Sequence, residues 1–425
     1  MIKRFLYKAF ENSLKIQHDF ELFIVIYIIS IKTKDYLKIF KGNHLKDFAV
    51  FQFSKEFPFL KCLKYLIVQI NINNMGNQNK SQASITLFQN LKALPTPLSY
   101  SQCVLHKHEI LICGGWDKRD CYSYHTIKNK YKFICEFPSD IILEGHCVVK
   151  LINNNKDSDE ITLLSFGGFY DHTLVMKYVS VWSNNNDNEM NKPKNYNQWV
   201  PFTDSHNRTI RIGRDNDNYN GVRAVIGGSN NNLLFITYLN CNISVFDLNT
   251  FQFIKHDTLP IGNYINYHCF NKNNEMLLFF RSTGLLIEYD ENNNNFQFHQ
   301  LRVGKDIESL CQYGYVCTNG GILFFGGYTY MNSKTVCKYL IQEKSWITFE
   351  TSLPIPLYGC FGILSEDNTH IHIIGGISER SAVSTHMKTK VNIWKDISNL
   401  VIFLFDLLNF LCNYVQFYEI STVKK

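Results

Sequence analysis

Short apolar runs separated by polar turns recur along residues 84–398, and six of them lead into a Gly-Gly pair or a degenerate version of one. The runs are ILICGG (110–115), LLSFGG (163–168), RAVIGG (223–228), LLFFRS (277–282), ILFFGG (322–327) and IHIIGG (371–376). The glycines are Gly114 and Gly115, Gly167 and Gly168, Gly227 and Gly228, Gly326 and Gly327, and Gly375 and Gly376, with Arg281 in the matching place of the fourth run. Between first glycines, counting Arg281 as one, the steps are 53, 60, 54, 45 and 49 residues. A period near fifty with strand-like content predicts stacked β modules.

Each module carries more than its glycines. An apolar strand such as QCVLH (102–106) or GCFGIL (359–364) precedes the glycine-ending run. A second apolar stretch, a polar turn and an aromatic stretch follow it, as in ISVFDLNTFQFI (243–254), LLIEYDENNNNFQFHQL (285–301) and TVCKYLIQEKSWITFE (335–350). Runs of about five Ile, Val, Phe and Tyr residues between Asn, Asp and Gly turns read as antiparallel hairpins, four strands per module. Where such sheets close into a ring, strand ends crowd the axis, and glycine permits close approach and positive φ. Large rings farther out fill the gap that widens with radius. Trp199, Phe251, Phe296, Trp346 and Trp394 are placed for that task.

The pattern of apolar run, Gly-Gly, spaced Tyr or Phe, then Trp or Phe resembles the kelch repeat. LPTPLSY (94–100) and LPIPLYG (353–359) resemble the segments that join kelch blades, with Leu98 and Leu357 where many kelch repeats have Arg. The resemblance implies an all-β fold, a kelch-type β-propeller of six four-stranded blades, with seven as the alternative. Blades are expected at 101–137, 145–203, 221–257, 264–301, 310–350 and 359–396, with an insertion at 183–198. Ring closure has two contenders. Either ITLFQNLKALP (85–95) or VNIWKDI (391–397) supplies the outer strand of the last blade.

Outside the repeats, residues 1–74 form an extension with LFIVIYIISI (22–31), too short to cross a bilayer. Met75 opens MGNQNKSQ and is an alternative start, which would expose Gly76. The tail from residue 399 contains the apolar run 400–418, whose Asp406, Asn409 and Asn413 offset its hydrophobic gain and leave a membrane anchor as an alternative. Of the formal charge of +6, residues 1–74 account for all, with twelve Lys and Arg against six Asp and Glu. The remainder is balanced, and no basic stripe argues for nucleic acid. Thirteen cysteines occur singly, as expected of free thiols in a reducing cytoplasm.

Candidate chemistry is sparse. His106 with His108, and His370 with His372, are the His-x-His spacings, and no third metal ligand accompanies either. Phosphate loops, dinucleotide fingerprints and nucleophile elbows are missing from the sequence, so no catalytic, cofactor or metal residue is assigned. In kelch propellers that bind partners, residues after the glycine pair lie on the binding face. That resemblance points to Trp116, Phe169, Ser229, Thr283 and Tyr328, with Arg119 and Arg281 nearby. Aromatic and Arg side chains are the usual interface anchors. The expected function is a monomeric, cytoplasmic, non-catalytic scaffold that binds a protein or peptide through one face. The alternatives are a loop-built enzyme of the copper oxidase or sugar epimerase class, and a membrane-tethered adaptor.

Overall fold

The computed structural model describes residues 87–152, 160–182, 196–262, 264–272 and 275–394, all within the unit Ser81–Lys425. The extension 1–74, the start at Met75, most of the insertion 183–198 and the tail from 399 lie outside them. The described residues form six four-stranded antiparallel sheets arranged as a β-propeller. Blade one is Gln102–His106, Glu109–Gly115, Lys118–His125 and Lys130–Glu136. Blade two is His146–Leu151, Glu160–Gly167, Thr173–Val179 and Val200–Pro201, and blade three is Arg223–Gly227, Leu233–Tyr238, Asn242–Asp247 and Gln252–Thr258. Blade four is Cys269–Lys272, Met276–Phe280, Thr283–Asp290 and Asn295–Gln300, and blade five is Gly314–Thr318, Gly321–Phe325, Val336–Leu340 and Ser345–Thr348.

The sixth blade settles the closure. Its inner three strands are Phe361–Leu364, His370–Ile374 and His386–Lys390, and its fourth is Gln89–Asn90 from the start of the ring. Gln89 pairs with Lys388 and Asn90 with Met387. Hydrogen bonds from Leu91 N–H to the His386 carbonyl and from Leu94 N–H to the Ser384 carbonyl extend the seam. The competing segment folds instead as a 3-10 helix, Val391–Trp394. Trp394 is buried there against Phe88, Phe349 and Phe325, so it packs as an outer aromatic without standing on a strand.

Each interface between neighbouring blades holds its own apolar core. Trp199 stacks on Phe137 at 4.6 Å between blades one and two, and Trp346 meets Phe279 and Phe324 between blades four and five. Phe296 is buried between blades three and four. Phe251 departs from expectation: it has φ 58° and closes the hairpin before the outer strand, while still meeting Phe202.

The glycines act through backbone approach. A Cβ on Gly326 would lie 2.1 Å from the Leu357 carbonyl oxygen, and one on Gly375 would lie 2.4 Å from that of Leu98. The N–H groups of Gly327 and Gly376 donate to those same carbonyls at 2.8 Å. The pair therefore clasps the segment that leads into the next blade, and the absence of a side chain lets the hydrogen bond form.

One pair is in a different place. Gly227 ends the first strand of blade three, and Gly228 begins the turn to its second. The turn that matches the other blades is Leu239–Cys241, where Asn240 and Cys241 carry the positive φ that glycine supplies elsewhere. RAVIGG is thus an inner strand, and the even spacing at that point is coincidental.

Candidate functional site

Antiparallel order sorts the connections. Turns from second to third strands, and the segments linking blades, gather at one end of the ring, called here the upper face. The first-to-second and third-to-fourth turns gather at the lower face. Trp116, Phe169, Arg281 and Tyr328 all lie in upper turns or immediately after them. Arg119 stands at the start of a third strand, paired with Glu136 at 3.4 Å. Thr283 is at the same end but buried, so its side chain is not presented outward. Ser229 lies on the lower face, where its N–H donates to Glu291 of the neighbouring blade's hairpin. It does not join the others.

The upper face also gathers residues that the repeat pattern did not mark. Trp116 is 45% exposed and Phe169 56%, and Tyr170, Tyr264, Tyr330 and Met331 are exposed beside them. Among the described residues, every exposed aromatic except Phe133 is on this face. Two of the rings are braced from below: Trp116 leans on Tyr100 at 5.3 Å and Tyr328 on Tyr358 at 4.9 Å. Phe169 meets its exposed neighbour Tyr170 at 4.9 Å. Trp116 thus packs on the ring of Tyr100 and presents its outer surface at once.

Around the axis runs a second constellation. Tyr100, Gly145, Gly221, Tyr267, Gln312 and Gly359 each precede the inner strand of one blade, and all six have φ between 49° and 75°. Each blade's residue donates to the carbonyl of the preceding one in four links: Gly221 to Gly145, Tyr267 to Gly221, Gly359 to Gln312 and Tyr100 to Gly359, at 2.7–2.9 Å. Half of these places carry side chains, although left-handed backbone is strained outside glycine. Those three side chains meet. The Tyr100 hydroxyl donates to Gln312 Oε1 at 2.7 Å, and its ring lies 4.6 Å from Tyr267. Tyr267 in turn donates to Asn220 Oδ1 at 2.7 Å and lies under the Arg223 guanidinium, 5.7 Å from its centre. Burial pushes the Tyr100 and Tyr267 hydroxyls far above their ordinary range, so both stay neutral. The space between these groups and Gln102 is about 10 Å³, room for a water and no more. A sequence signal for this ring exists in YSQ, GHC, GVR, YHC, QYG and GCF, one triplet per blade. It is hidden because the first member alternates between glycine and bulky residues.

The His-x-His pairs do not form a centre. His106 is buried, whereas His108, beyond the Lys107 turn, is exposed and pairs with Glu366. His372 is buried and meets His386 at 2.9 Å, while His370 turns to the Thr369 hydroxyl. Among the described residues, no three His, Cys, Asp or Glu side chains are grouped to hold a metal. No helix among them is long and apolar enough to cross a membrane.

In fold, the chain is similar to a solved protein titled "Structure of YjhT", with a TM-score of 0.50 and 12% identity over 70% of this chain and 95% of that one. No family model matches the sequence, and no curated protein does. At that identity the likeness concerns the fold.

Proposed function

We propose that this chain is a kelch-type propeller that works in the cytoplasm as a monomeric, non-catalytic scaffold and holds a protein or peptide on its upper face. The observation that carries this reading is the concentration of exposed aromatic side chains at one end of the ring. Rings such as Trp116 and Tyr328 offer large contact area and few rotors to immobilise. Because their inner edges are braced by Tyr100 and Tyr358, they are held in position before a partner arrives. Arg281 stands exposed beside them and supplies a polar anchor. The tight axial mouth favours a partner that lies across the face over one that enters the ring.

The test compares two surface variants. Trp116→Ala with Tyr328→Ala removes upper-face rings, and Ile127→Ser with Ile152→Ser alters exposed side chains of the lower face. Proteins captured from native extract by the full chain are quantified for each. Loss of a stoichiometric partner by about 30-fold or more with the upper-face pair alone is expected, as for hot-spot residues. Equal capture by both variants and the wild type would falsify the assignment of the face.

A further inference from the structure

Three adjacent strands of blade one place three thiols in a row. Cys113 on Glu109–Gly115 faces Cys121 on Lys118–His125, and Cys121 faces Cys135 on Lys130–Glu136. Cysteine faces cysteine in no other strand pair of the described sheets. Cys113 and Cys121 are buried, while Cys135, on the outer strand, is half-buried. Residues directly opposite in an antiparallel pair have Cβ atoms about 4.5–5.5 Å apart, and a disulfide needs about 3.5–4.5 Å. Either pair therefore needs only a small closure to bridge. The register shifts just after Cys113 and again between Cys121 and Tyr122, and such irregularities give the ladder local freedom.

The three residues stand in a line across the sheet and do not group around a metal. Within the line Cys121 differs from its neighbours. The Trp199 indole N–H donates to its sulfur at 3.3 Å. The Cys113 and Cys135 thiols and the Gly114 N–H bond to the same sulfur. As a thiol, Cys121 has the Arg119 carbonyl as its own acceptor, at a long 3.8 Å. Burial opposes ionisation of Cys121, but the donors around it outweigh burial and hold the thiol below its ordinary range. The bonds to Cys121, together with burial, push Cys113 and Cys135 up. The thiolate is the nucleophilic form of cysteine, so the reactive sulfur of the row is the central one.

We propose that the row Cys113, Cys121, Cys135 is a reversible oxidation site for hydroperoxides, with Cys121 as the reacting sulfur and the flanking thiols as its resolving partners. Hydrogen peroxide is little larger than water and enters past Cys135, the half-buried member. The Cys121 thiolate attacks one peroxide oxygen and the O–O bond breaks. The hydroxide that leaves takes up the proton Cys121 released, and Cys121 becomes a sulfenic acid. The sulfur of Cys135 or Cys113 then bonds to that of Cys121, the S–OH bond breaks, and the hydroxyl leaves as water with the thiol's proton. In sum a pair of thiols is oxidised to one disulfide, and one peroxide is reduced to two waters. The third thiol faces Cys121 from the other side and exchanges with the bridge. A bridge from Cys113 to Cys121 ties the base of the turn that carries Trp116. The site does not depend on what the upper face holds.

The probe is hydrogen peroxide, titrated into the reduced full-length protein. Samples are unfolded in N-ethylmaleimide, digested with trypsin without reductant and mapped by mass spectrometry. Trypsin places the three thiols in peptides 108–118, 120–128 and 133–150, and fragmentation of the last tells Cys135 from Cys147. The first product should be 120–128 linked through Cys121 to Cys135 or Cys113, with loss of one pair of thiols per chain and their full return with dithiothreitol. Cys113→Ser and Cys135→Ser should each keep a bridge through the remaining partner, and Cys121→Ser should form none. Loss of other thiols before Cys121 reacts overturns the site, as does unchanged thiol loss in Cys121→Ser. Should Cys121→Ser fail to fold, the double variant Cys113→Ser, Cys135→Ser decides the matter. Without resolving partners its Cys121 should pass to sulfinic acid, and a Cys121 left unmodified while other cysteines react refutes the proposal.

Discussion

At the scale of single residues, the positions that most constrain this ring are those where backbone meets backbone. Gly326 combines φ of 65° with a carbonyl oxygen 2.1 Å from where a Cβ would stand. Alanine there must both adopt a left-handed conformation and push away the Leu357 carbonyl that Gly327 N–H needs. Gly326→Ala should therefore cost more than about 2 kcal/mol, whereas Gly262→Ala, with nothing within 4 Å of the new methyl, should be near neutral. Urea unfolding midpoints of the two variants make the comparison, and equal midpoints would contradict the clasp. The same reasoning shows what the sequence could and could not reveal. Glycine pairs stand out where the fold demands positive φ and space together. Where it demands positive φ alone, Asn240, Cys241, Tyr100, Tyr267 and Gln312 serve as well, and the requirement leaves no compositional trace. For that reason the axial ring is unmarked in the sequence, while Trp116, Phe169 and Tyr328 are visible as residues following a glycine pair.

At the scale of elements, the notable feature is closure by a strand from the opposite end of the ring. Blade limits were readable because hairpin turns recur with Asn and Gly between apolar runs, and even blade three was bounded correctly although its glycines were matched to the wrong strand. The closing strand was not decidable. ITLFQNL and VNIWKDI have equal claims by pattern, and the choice rests on which can reach the free edge of His386–Lys390. Gln89–Asn90 takes that edge, and Trp394, on the 3-10 helix beyond, packs on Phe88 next to it. Strand and helix thus form one latch. Trp394→Ala should cost about 3–5 kcal/mol, the loss for a fully buried large aromatic. The loss should also loosen the seam selectively. Hydrogen exchange should quicken at Leu91 and Leu94, whose N–H groups bond across it, and leave the Gly221 to Gly145 link of the axial ring unchanged. Uniform acceleration throughout the ring would mean that the latch has no local role.

At the scale of the whole molecule, the ring carries buried histidines at several of its seams, and together they set its response to acid. His146 contacts the Cys113 carbonyl of blade one, His268 the Thr237 hydroxyl of blade three, and His386 joins Tyr131 of blade one to His372 of its own blade. His172 bonds Ser165 within blade two. Burial is the first cause in every case: His146 is lowered to about 3, His172 and His372 to about 4, and His268 and His386 also fall well below the usual value. Around the His386 pair, Lys388 and His370 add positive charge and Asp367 alone opposes it, so a proton there is poorly compensated. The sign follows directly. The native state keeps these rings neutral, and the unfolded chain takes protons below about pH 6.5, so stability is complete above that value and is lost as pH falls toward 4. Each histidine contributes up to about 1.4 kcal/mol per pH unit in that window. Urea midpoints should hold steady above neutrality and fall steeply between about pH 6.5 and 4.5. His386→Asn should make that fall shallower by roughly one histidine's share, whatever it does to stability at neutral pH. A wild-type midpoint that stays flat across the window would show that the seams are open enough to water for their histidines to titrate normally.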